Sequence, residues 1–96
     1  MSKMLERQVT VVNKLGLHAR PAAEFVRAVQ ASRCTVNIVK NEECFSGASI
    51  LEVLSANLDC GSMILIRVEG QGEETALERL CLLLEEFRRQ EERENI

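Results

Sequence analysis

The sequence predicts an α+β fold: one antiparallel sheet with helices packed on a single face. Three observations predict it. Several short segments alternate apolar and polar residues, the mark of strands with one covered face. Other segments space their apolar residues at i, i+3, i+4 and i+7, the mark of helices that bury one stripe. At 96 residues, the chain has the length of one compact domain around one core. Half-polar strands alternating with amphipathic helices imply two layers, with the second face of the sheet open.

The elements follow in the order β-α-β-β-α-β-α. In "LERQVTVV", Val9 and Val11 point one way and Gln8, Thr10 and Val12 the other. "NKLG" reads as a turn punctuated by Asn13 and Gly16. From Ala19 the stripe Ala22, Phe25, Val26 and Val29 predicts a helix, with Pro21 in its first turn, where a missing N–H costs little. "CTVNIVK" alternates again, "NEE" makes a turn and "CFSG" a short return strand. Ser49, with Glu52 following at capping-box spacing, predicts the start of a short second helix within the stretch that Gly61 ends, with Val53 and Leu58 as its core candidates. In "SMILIRVEG", Ile64, Ile66 and Val68 form the core face of a strand. The last helix is expected from Glu73 to about Glu91, on the stripe Ala76, Leu80, Leu83, Leu84 and Phe87, with acidic residues early and arginines late, as its dipole favours. The open face would carry Thr10, Val12, Thr35, Asn37, Val39, Met63, Leu65 and Arg67.

Composition excludes several classes of function. The net charge is −3 and there is no Trp or Tyr, so no nucleic-acid partner is expected. No apolar run approaches the roughly 20 residues that cross a bilayer, and the opening "MSKMLERQVTV" lacks the apolar segment of a signal peptide. A cytoplasmic location without membrane insertion is the expectation. Cys34, Cys44, Cys60 and Cys81 are too far apart in sequence to make a C-x-x-C pair, so no metal site, disulfide framework or cofactor is expected, and the thiols are read as mostly buried.

Chemistry concentrates in "KLGLHARPAAEFV", which holds the only histidine and the only proline of the chain. His18 falls at the N-cap of the first helix. The N–H groups of a first helical turn point outward and favour an anion. A neutral imidazole has one nitrogen open as a nucleophile. Arg20 can set a guanidinium beside an anion held there. A nucleophile, the amides of Ala19 and Arg20, and a guanidinium thus converge on one small volume, and a phosphoryl group suits all three. The spacing alone also allows an incidental surface histidine.

"GLHARPAAEFV" resembles the active-site motif of HPr, the histidine-containing phosphocarrier of the bacterial phosphoenolpyruvate-dependent phosphotransferase system. The resemblance extends from about Gln8 to Phe87 and includes the order of elements. It implies an HPr-like open-faced β-sandwich: a four-stranded antiparallel sheet with three helices on one face. It implies a single domain over 1–96, with a core of about 5–88 and a charged helical extension over 88–96, where "RRQEERENI" continues beyond the usual family end. It also implies that His18 accepts a phosphoryl group from enzyme I and relays it to a downstream acceptor domain, with Arg20 stabilising the phosphate and no turnover of the protein's own. Ser49 stands where many members carry a regulatory serine, the target of an HPr kinase. Ile50, Leu51 and Leu54 would form a docking patch for partners. A regulatory relative acting through Ser49 and protein contact is the alternative, and the resemblance leaves open the sugar and nitrogen-regulatory branches.

Overall fold

The computed structural model describes residues 3–94; the ends of the expected 1–96 domain, residues 1–2 and 95–96, lie outside the described residues. The elements are β1 (Lys3–Thr10), α1 (Ala19–Ser32), β2 (Thr35–Lys40), β3 (Glu43–Ser46), α2 (Ile50–Ser55), β4 (Met63–Gly70) and α3 (Glu73–Glu94), in the expected order. The four strands make one sheet in the order β1-β4-β2-β3, and every neighbouring pair is antiparallel. Three helices on one face complete the open-faced sandwich.

Alternation fixes the two faces. Leu5, Val9, Val36, Ile38, Ile64, Ile66 and Val68 turn toward the helices and are buried or packed against the core. They meet Ala22, Phe25, Val26 and Val29 of α1, Val53 of α2, and Ala76, Leu77, Leu80, Leu84 and Phe87 of α3. None of the residues expected on the open face is buried, and a Glu6–Arg67 ion pair of 2.7 Å ties β1 to β4. Lys40 and Glu43 pair across a two-residue turn in which Asn41 and Glu42 both have positive φ, 50° and 69°, the handedness that suits a tight hairpin.

Several expectations need correction. β1 stops at Thr10, although Val11 still exchanges hydrogen bonds with Gly61 and Ser62. α2 is short, as expected, at six residues, but its capping box is not reciprocal. Ser49 Oγ accepts from Glu52 N at 3.3 Å, but Glu52 Oε1 reaches past Ser49 to accept from Ser46 N at 3.0 Å. α3 runs to Glu94, and its buried arc includes Leu77, while Leu83 is only half-buried. A helix packed on both the sheet and α1 buries an arc wider than one stripe. No cysteine is fully buried: Cys44 and Cys60 are exposed, and Cys34 and Cys81 are half-buried.

Candidate functional site

The site begins where the chain leaves the sheet. Gly16 N donates to Asn13 O at 3.0 Å, closing a turn with Lys14 and Leu15 at its centre. Leu17 N then donates to Leu58 O at 2.9 Å, so the segment after α2 supports the approach to α1. Gly16 is required here. Its φ is +65°, and a Cβ at that position would lie 2.4 Å from Leu58 O and 2.9 Å from Asp59 Cα. Leu17 is buried, which anchors the residue immediately before the histidine.

His18 is the N-cap of α1, with extended backbone (φ −90°, ψ −170°) and a side chain that makes no capping hydrogen bond. The ring is therefore not consumed in holding the helix, and the residue is exposed. The helical ladder opens with Ala22 N donating to His18 O at 2.9 Å. The amides of Ala19 and Arg20 precede it, in the turn whose N–H groups face outward along the helix axis. Pro21 contributes a fixed φ and no donor. Arg20 is exposed and off the buried stripe.

A small pocket of about 40 Å³ is lined by Asn13, Leu15, Gly16, His18, Arg20, Pro21, Phe87, Gln90 and Glu91. A water needs about 10–15 Å³, so the pocket has room for a few waters. His18 and Arg20 line the same pocket, as the sequence predicts. Leu15, Phe87, Gln90 and Glu91 are additions. An exposed leucine in a polar turn was a readable signal for Leu15, which is 70% exposed. Nothing local to α3 marks Glu91, whose contact with the turn spans 77 residues of sequence.

The remaining candidates lie on α2. Ser49 is its half-buried N-cap. Leu51 is 75% exposed and Leu54 39%, whereas Ile50 is half-buried and packs against the core. The carboxyl end of α2 is the end that joins the site. Lys40 Nζ donates to Ala56 O at 3.1 Å and to Asn57 O, and the chain then passes to Leu58 beneath Leu17. Val53 and Leu58 are both buried, as expected.

Comparisons with known proteins agree with this architecture. The family model described as "PTS HPr component phosphorylation site" matches residues 5–86. The phosphocarrier protein NPr of Shewanella violacea is 38% identical over 81 residues, covering 84% of this chain and 89% of that protein. The phosphocarrier protein HPr of Streptomyces coelicolor is 43% identical over 84 residues, covering 86% and 90%. The crystal structure of HPr from Bacillus anthracis superposes with a TM-score of 0.79 at 38% identity, over 83% of this chain and 95% of that one. HPr from Thermoanaerobacter tengcongensis superposes with a TM-score of 0.83 at 31% identity, over 88% and 94%. With a family match across most of its length, relatives of this identity and the same fold, the chain belongs to the HPr family of phosphocarrier proteins.

Proposed function

We propose that the protein is a phosphoryl relay of the phosphotransferase system, accepting on His18 from enzyme I and donating to a downstream acceptor domain. The observation that carries this reading is an exposed imidazole at the N-cap of α1 that makes no capping bond. In the first step the bond from phosphorus to its carrier atom on enzyme I breaks as a bond to a His18 ring nitrogen forms. In the second step the same phosphoryl group leaves for the acceptor. No water and no redox partner enters the balance. Outward N–H groups of Ala19 and Arg20 and the Arg20 guanidinium would steady the anion. That help has to be modest, because a relay must also give the group away.

A pocket this small fits a carrier that is served inside its partners' sites and turns over no small molecule by itself. Exposed Leu51 and Leu54, with the edge of Ile50, supply apolar area for docking. Ser49, at the N-cap of the helix that bears them, is the proposed regulatory position, for an HPr kinase. Among the described residues no helix is long and apolar enough to cross a membrane, and the relay would act in the cytoplasm. The test is incubation with enzyme I and phosphoenolpyruvate. The expected result is an acid-labile mass increase of one phosphate that His18→Ala abolishes while circular dichroism stays unchanged. Undiminished labelling of folded His18→Ala protein would overturn the assignment.

A further inference from the structure

Glu91 lies in the last turns of α3, beyond residue 86, where the family match ends. Both of its carboxylate oxygens are engaged across the fold: Oε1 accepts from Lys14 N, and Oε2 accepts from Leu15 N at 3.1 Å. Those amides belong to the central residues of the turn that Gly16 N closes on Asn13 O. Bonds from N–H groups to an ionised acceptor are stronger than neutral ones, and two on adjacent amides fix orientation as well as position. The stretch of α3 that carries Glu91 is itself well supported. Phe87, one helical turn earlier on the same face, is only 3% exposed and seats this part of α3 on the core. Arg88 bridges Glu85 and Glu92 along the helix, and Arg93 reaches Glu86 at 3.1 Å. Glu91 also lines the pocket that His18 and Arg20 share.

We propose that Glu91 is a positioning residue for His18: it clamps the Lys14–Leu15 turn and thereby holds the imidazole in the orientation that phosphoryl transfer needs. The consequence for transfer rests on the relay reading above; the clamp itself does not. The turn has two lateral supports, the Leu58 segment on one side and Glu91 on the other. Without Glu91 the outer support is lost, and Lys14 N and Leu15 N return to water. In-line transfer needs donor and acceptor atoms about 3–3.5 Å apart and aligned, so a loosely held acceptor loses rate in the bound complex rather than affinity for the partner. The carboxylate also places negative charge near an arriving phosphoryl group. Positioning and repulsion therefore predict opposite signs on removal, which makes the proposal decidable.

The experiment compares the full chain with Glu91→Ala and Glu91→Gln. Amide exchange at Lys14 and Leu15 and the ring ¹H–¹⁵N resonances of His18 are measured first. Transfer from phosphorylated enzyme I is then followed over a range of carrier concentrations. In Glu91→Ala the two amides should exchange about tenfold faster, the scale of one net hydrogen bond, and the His18 ring resonances should shift. The rate at saturating carrier should fall by about tenfold while KM moves by less than about twofold. Glu91→Gln, whose amide oxygen can accept one of the two bonds, should fall between. Unchanged exchange and ring resonances would overturn the clamp. An unchanged or faster transfer rate in Glu91→Ala would overturn the positioning role, the faster rate meaning that the carboxylate only repels the phosphoryl group. A parent protein that takes up no phosphate would instead defeat the relay reading, and the exchange and ring measurements would still decide the clamp.

Discussion

Gly16 and Arg20 line the same pocket, and their proposed parts in it differ. Gly16 has no room for a side chain, because Leu58 O and Asp59 Cα stand where a Cβ would be, and its φ is positive. Gly16→Ala should therefore cost about 1–3 kcal/mol, the scale of strained backbone. It should also slow phosphoryl transfer by moving the turn; denaturant melts and labelling kinetics on one preparation check both. Arg20 is exposed in the first turn of α1 and outside its buried stripe. Arg20→Ala should leave stability within about 0.5 kcal/mol and still slow labelling of His18, and an unaltered rate would remove the arginine from the site. Both residues are legible in the sequence, because "LGLHARP" carries its own local geometry. Leu58 and Glu91, which hold that geometry from outside, are not. A hydrogen bond between positions 77 apart leaves no trace in local spacing.

The two later helices divide differently between what local chemistry fixes and what tertiary contact adds. For α2, Ser49 as N-cap is readable, because a hydroxyl before an apolar run satisfies a first-turn amide. The reach of Glu52 to Ser46 is not readable, because it depends on how β3 leads into the helix. Asp at position 49 can accept the same bond from Glu52 N and suits the helix dipole, so Ser49→Asp should change stability by at most about 1 kcal/mol. The added charge stands beside Leu51 and Ile50, and it should slow labelling by enzyme I through weaker association. Normal kinetics would remove the docking role, and a large loss of stability would remove the claim of tolerance. In α3, the hydrogen bond from Arg88, opposed by some burial and aided by the Arg88 and Arg89 charges, holds the Glu85 carboxyl below its ordinary value of 4.5. A depressed carboxyl contributes fully above its unfolded value and loses that contribution as pH falls through the folded one. Ordering of the outer turns of α3 should therefore weaken below pH 4.5, and Glu85→Gln should flatten that dependence in amide exchange across Phe87–Arg93.

At the scale of the molecule, the core and the proposed site occupy separate parts of the fold. β4 is paired on both sides, by β1 and β2, and Ile64, Ile66 and Val68 point from it into the helices with at most 2% exposure. Alternation made this strand easy to find, because a central strand between polar and apolar faces has only one register that buries all three residues. The site lies at the rim, on a turn, a helix N-cap and the far end of α3, where few core residues reach. That separation makes a paired measurement informative. Ile66 is fully buried, and truncating such a side chain removes its transfer free energy and leaves a cavity in the core, so Ile66→Ala should cost about 2–5 kcal/mol. Domains of this kind have only about 5–15 kcal/mol to lose, so the variant should melt well below the parent. The fraction that remains folded should still accept phosphate at close to the parental rate, because Ile66 does not line the pocket of His18 and Arg20. His18→Ala should do the reverse: its side chain is exposed and makes no capping bond, so stability should stay within about 0.5 kcal/mol, while labelling is abolished. Melting curves and labelling kinetics of the two variants, taken below the midpoint of the weaker one, test the separation. A marked loss of transfer in folded Ile66→Ala protein would show that the core and the rim are coupled, through either the Leu58 segment or α3.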